Sequence, residues 1–87
     1  MTTEIVKAIG TRLSALRILR KIDRQSMATT IGISMNKLGR IEAGKTEPSA
    51  TELIRFAEAL GVPTTVITGE EKYSEFMDRV LAAGGAN

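Results

Sequence analysis

The sequence predicts an all-α fold, and three observations carry that prediction. Apolar residues recur at three- and four-residue spacings along most of the chain, the period of a helix with one buried face. Glycines and small polar residues interrupt those stripes where one helix would stop and the next would start. The chain has 87 residues, enough for one core and not for two.

The elements follow in order. Ile5, Ile9, Leu13 and Leu16 form the first stripe and place a helix over residues 3–20. Lys21 and Ile22 lead to Asp23, whose carboxylate suits an N-cap. Met27, Ala28 and Ile31 face inward from a second helix, 24–31, and Gly32 stands where a left-handed residue ends it. Ser34 caps a third helix, 34–43, with Leu38 and Ile41 inward and Gly44 as its stop. Thr46-Glu47-Pro48-Ser49 is turn and cap chemistry. Leu53, Phe56, Ala57 and Leu60 then line a fourth helix, 50–60, closed by Gly61. Pro63 suits the first turn of a short fifth helix, 63–67, although its β-branched Thr-Thr-Val-Ile-Thr run also fits a strand. After Gly69, Tyr73, Phe76, Met77, Val80 and Leu81 fall at i, i+3, i+4, i+7 and i+8, the apolar face of a last helix. Gly84-Gly85-Ala86-Asn87 should fray.

Composition narrows the chemistry. The chain is 43% hydrophobic and 25% charged, an ordinary globular balance, and has no Cys and no His. Disulfides, Cys/His zinc sites, thiol nucleophiles and imidazole bases are therefore excluded, and no other catalytic constellation stands out. The expectation is a binding module, not an enzyme, with no metal and no cofactor. No run of 18 apolar residues exists, and residues 1–9 lack the apolar stretch of a secretion signal, so a cytoplasmic protein with no membrane partner is expected. Residues 1–45 hold nine basic and three acidic side chains, whereas residues 46–87 hold three basic and seven acidic ones. Such asymmetry fits one half meeting a polyanion, and equally a basic helical surface kept solvated. At 3% aromatics the chain lacks the stacking platforms of single-strand binders.

Residues 24–43 carry the main signal. A small residue at Ala28, Gly32 four later, and apolar Leu38 and Ile41 beyond it make the helix-turn-helix spacing. A plain helical hairpin shares this spacing, and the basic bias favours the nucleic-acid reading. Ile9-Gly10-Thr11-Arg12-Leu13 with Leu16-Arg17, Asp23-Arg24-Gln25 with Met27-Ala28, Ile31-Gly32-Ile33-Ser34, Arg40-Ile41-Glu42-Ala43-Gly44-Lys45 and Pro48-Ser49 complete a longer pattern, which Leu53 and Leu60-Gly61-Val62-Pro63 continue. This sequence resembles the phage repressor and Cro-like helix-turn-helix domains, the Xre family. The resemblance implies a compact five-helix DNA-binding domain over residues 1–69, with its motif at 24–43, and leaves 70–87 as an amphipathic C-terminal extension.

The resemblance also implies residue roles. The helix that Ser34 opens would lie in the major groove with Met35, Asn36 and Arg40 at base edges. Arg40 suits guanine O6 and N7, Asn36 suits adenine N6 and N7, and Met35 either offers apolar contact with a thymine methyl or is simply an exposed side chain. Arg24, Gln25, Ser34, Lys37 and Lys45 are the expected phosphate contacts, with a base edge also within the reach of Lys37. Arg17 and Glu42 occupy the positions of a structural ion pair. Gly39, mid-helix, fits either close approach of DNA or simple tolerance. Three departures stand out. Lys21 replaces a common helix-ending Gly and is expected to end helix one less sharply. Arg24 replaces a phosphate-gripping Gln, and Ser26 replaces the Glu of a capping box. Tyr73, Phe76, Met77, Val80 and Leu81, with residues 62–67 contributing, would form a homodimer contact, or the last helix would fold back on its own core.

The function so implied is a double-stranded DNA-binding transcriptional regulator, a repressor or autoregulator, binding a pseudo-palindromic operator as a homodimer. Two alternatives share the pattern. One is an antitoxin that also represses its operon and grips a toxin; the other is a module that has lost DNA binding and meets a regulatory protein.

Overall fold

A computed structural model describes residues 2–85. Its elements are α1 (Thr3–Leu19), α2 (Arg24–Ile31), α3 (Met35–Glu42), α4 (Ala50–Leu60), α5 (Thr64–Thr68) and α6 (Tyr73–Gly85). The described residues contain no strand, so the β-branched run at α5 is helical. Val66 and Ile67 are both buried there, an orientation one short helical turn provides.

Local chemistry sets most boundaries. Asp23 accepts from the Ser26 amide at 2.8 Å and from its hydroxyl at 3.1 Å, so the serine completes the cap in place of a glutamate. Those hydrogen bonds, the amide's first, hold the Asp23 carboxyl below the usual carboxylate range. Ser34 accepts from the Lys37 amide at 3.0 Å. Ser49 and Glu52 form a reciprocal capping box at the start of α4. Gly32 ends α2 at φ 83°, where a Cβ would be strained, and its backbone turns the chain directly into α3.

The end of α1 differs from expectation. Helix one stops sharply at Leu19, and Lys21 takes φ 58°, alone among the described non-glycine residues in the left-handed region. The Ile22 amide donates to Arg17 O at 3.1 Å and the Lys21 amide to Ile18 O at 2.9 Å, the paired bonds of a Schellman stop. The chain thus makes a glycine-type turn with a lysine.

Two further expectations are corrected. Ile5 is exposed and Val6 is buried, so the inward stripe of α1 begins one residue later. Val62, Val66 and Ile67 are sealed in the protomer's own core, which removes these three side chains from any partner contact. Helix α6 extends to Gly85, and Ala86 and Asn87 of the segment expected to fray lie outside the described residues.

The core sits between α1, α2, α3, α4 and α5, around fully buried Ile9, Leu13, Ile31, Ile41, Phe56 and Ile67. Packing of α1 on α3 positions the site. A Cβ added at Gly10 would clash with Ile41 O and lie 2.8 Å from Glu42 O. Only a bare Cα lets α1 cross the end of α3 this closely. Arg55 of α4 donates to Ile31 O at 3.0 Å and covers the end of α2. Helix α6 joins the body at its first turn, where Tyr73 and Phe76 pack on the core, while Val80 and Leu81 stay exposed.

Candidate nucleic-acid interface

Helix α3 presents two unlike faces. Leu38 and Ile41 are fully buried and lock it to the core. Met35, Asn36 and Arg40 are exposed on the other side, and with Gly39, Ala43 and Lys45 they line a shallow groove. Half of the Met35 surface is in solvent, 51%. An eight-residue helix with one wall sealed and one open is suited to lie against an external surface.

The structure brings Arg17 and Glu42 together. Arg17 Nε donates to Glu42 Oε2 at 2.7 Å and its second terminal nitrogen to Oε1 at 3.3 Å, a two-pronged contact between side chains only 10% and 5% exposed. A third donor of Arg17 reaches Ile22 O at 2.8 Å, just past the Schellman turn. One guanidinium therefore ties the end of α1 to the end of α3. Arg24, at the start of α2 and mostly exposed, also reaches Glu42, Nε to Oε1 at 3.4 Å. Gln25 lies exposed in the first turn of α2, beside Arg24.

Lys37 behaves otherwise than a free phosphate ligand. Its ammonium meets Glu52 Oε2 at 2.7 Å, joining the start of α3 to the cap of α4. The Lys37 hydrogen bond, followed by the Ser49 amide, holds the Glu52 carboxyl below the usual range. Ser34 Oγ accepts at the cap, which leaves its O–H as a donor. Arg40 donates through Nε to Thr46 Oγ1 at 3.0 Å, and Lys45 is exposed just beyond α3.

The charge split of the sequence is thereby divided. Arg12 donates to Ile67 O at 3.4 Å, and Arg20 donates to Leu60 O at 2.9 Å and to the Tyr73 hydroxyl at 3.1 Å. With Arg17 and Lys37, these cations serve the fold. Arg24, Arg40 and Lys45 remain outward around α3, Lys7 is exposed where α1 passes Gly44 at the end of that helix, and Lys21 is exposed at the end of α1. The sequence assigns no role to Arg20 or Arg55, and places Gly10, Arg12 and Thr46 only within longer patterns, without the contacts they make. Gly10 carries a further signal, a glycine inside an otherwise regular helical stripe.

Two short helices joined through a left-handed glycine, with the second turned outward and cationic, make a helix-turn-helix domain. The chain belongs to the helix-turn-helix family HTH_3, whose model matches residues 13–67. It is 35% identical over 63 residues to the immunity repressor protein of Bacillus phage phi105, a match covering 72% of this chain and 44% of that protein. The chain thus spans less than half the length of this curated relative. Among solved structures, an HTH_3 family transcriptional regulator from Vibrio cholerae aligns with TM-score 0.70 and 25% identity, covering 79% of this chain and 39% of the other. The restriction-modification controller protein C.AhdI from Aeromonas hydrophila aligns with TM-score 0.68 and 24% identity over 76% of this chain and 98% of its own, and shares the fold. The family is thus one of transcriptional regulators with a repressor among its members' relatives. No metal-binding cluster of acidic side chains and no helix long and apolar enough to cross a membrane occurs among the described residues.

Proposed function

We propose that this chain is a sequence-specific regulator of transcription, most simply a repressor or autoregulator, that binds a pseudo-palindromic operator in duplex DNA as a homodimer. The observation that carries this reading is the outward face of α3, where Met35, Asn36 and Arg40 share one groove with Lys45. Helix α3 lies in the major groove. Arg40 reads a guanine through parallel hydrogen bonds, Asn36 an adenine, and Met35 packs on a thymine methyl. Arg24, Gln25, Ser34 and Lys45 fix the register on phosphates, with the amides at the start of α2 adding to the anion site. Lys37 joins them only by giving up Glu52. The role of Arg17 and Glu42 is structural, holding α3 at the angle that presents this face. Residues 1–69 form the DNA-binding unit and 70–87 the dimer contact, in which Met77, Val80 and Leu81 meet the partner. Tyr73 and Phe76 are already half-buried against the protomer and brace that helix.

The experiment is a selection from duplexes randomised over two half-sites, followed by gel retardation of the winning sequence. Arg40→Ala lowers preference at one base pair per half-site by about 1–3 kcal/mol. Lys45→Ala weakens preferred and random duplexes alike and reduces the slope of log affinity against log salt by about 0.9. Equal losses for both variants on both duplexes would refute these roles.

A further inference from the structure

We infer that Thr46 is a positioning residue for Arg40 and, through it, sets specificity at one base pair of each half-site; this rests on the reading of α3 as the major-groove helix. Arg40 stands in the last turn of α3 with its side chain exposed. Its Nε donates to Thr46 Oγ1 at 3.0 Å. Thr46 is half-buried in the turn that follows α3. Its amide donates to Arg40 O at 3.3 Å, alongside the Lys45 amide at 2.9 Å. The carbonyl of Arg40 therefore holds the backbone of the residue that holds its own guanidinium.

The chemistry of this contact differs from those of Arg17, Arg24 and Lys37, which each meet a carboxylate. The Thr46 hydroxyl is neutral, so the contact fixes direction without itself cancelling the positive charge. Engaging Nε leaves the two terminal nitrogens of this exposed side chain as the fork for a base, the group that matches guanine O6 and N7. A free arginine at an exposed site would have to be ordered on binding. Ordering one rotamer-rich side chain in advance is worth about two- to tenfold in affinity. That gain is realised only where the fork finds its guanine, so the hydroxyl sharpens discrimination and leaves general affinity unchanged.

The test uses the full chain and the duplex selected from the randomised pool, with every base pair of one half-site then substituted in turn. Thr46→Val removes the hydroxyl at nearly constant shape, and Thr46→Ser restores it. Thermal melting confirms that each variant is folded. Thr46→Val should lose about two- to tenfold in affinity for the selected duplex, none for a random duplex, and its discrimination should fall at the base pair that Arg40→Ala affects. Thr46→Ser should recover that discrimination. Full discrimination in Thr46→Val overturns the inference, as does a loss that serine does not restore or one that random duplex shares. If Arg40→Ala leaves every base preference intact, the reading of α3 itself fails and takes this inference with it.

Discussion

Gly39→Ala separates what the fold needs from what the duplex needs. Gly39 sits in the middle of α3, and a Cβ built there meets no heavy atom within 4 Å beyond its chain neighbours and the helix's own backbone. The open space removes any steric reason for glycine within the chain. Alanine in a helix interior is favoured over glycine by about 0.5–1 kcal/mol. For a domain of this size that raises the melting temperature by roughly 2–8 °C, using about 4–8 °C per kcal/mol. The same methyl projects into the groove shared by Met35, Asn36, Arg40, Ala43 and Lys45. If α3 lies flush in the major groove, the methyl intrudes on a packed contact, an intrusion that costs about 1–3 kcal/mol. Binding to the selected duplex then weakens roughly five- to 150-fold. Circular-dichroism melting and gel retardation measure the two effects, which have opposite signs. A variant that melts higher and binds as well as the parent would refute close approach at Gly39. A variant that melts no higher would refute the geometry assigned to α3.

Other outcomes follow from the same structure. Lys21→Gly relieves a left-handed lysine, which costs about 1–2 kcal/mol, at the expense of a more flexible unfolded chain; a net gain near 1 kcal/mol should appear in urea titration, with unchanged DNA affinity. Glu42→Ala leaves the buried Arg17 without its carboxylate, and a loss of about 3–5 kcal/mol is expected by the same titration. Glu52 and Asp23 titrate below their ordinary values in the folded state, Glu52 chiefly through Lys37 and Asp23 chiefly through the Ser26 amide. Their contribution is present above the ordinary carboxylate range and is lost as pH falls through the folded values. Glu52→Gln should therefore flatten the decline of stability on acidification, seen as melting curves recorded at stepwise lower pH.

What the sequence made legible was local. Asp23, Ser34 and Ser49 announce helix starts, and Gly32 and Gly61 announce stops, because each acts on backbone groups within a few residues. The outward set of α3 was legible for the same reason, since Leu38 and Ile41 fix which side is buried. Adjacent apolar residues defeated the period at Ile5 and Val6, either of which continues a helical stripe. The turn at Lys21 was not legible, because tertiary packing overrides the preference of one residue. Long side chains were the least legible. Nothing local to Arg20 tells that it reaches Leu60 O, nor to Lys37 that it meets Glu52. Basic residues counted as a DNA-facing surplus therefore proved in part to be tethers between helices.

The central claim is that Arg40 grips a guanine edge in the major groove, and methylation interference at guanine N7 tests it most directly. Methylating one guanine in each half-site of the selected duplex should block binding of the parent protein, the two guanines being related by the dyad of half-sites whose centres lie about 34–36 Å apart along the axis. Arg40→Ala, assayed at a concentration that restores binding, should no longer respond to that methyl group. If the variant remains as sensitive as the parent, or if only minor-groove methylation at adenine N3 interferes, α3 does not read DNA in the way described.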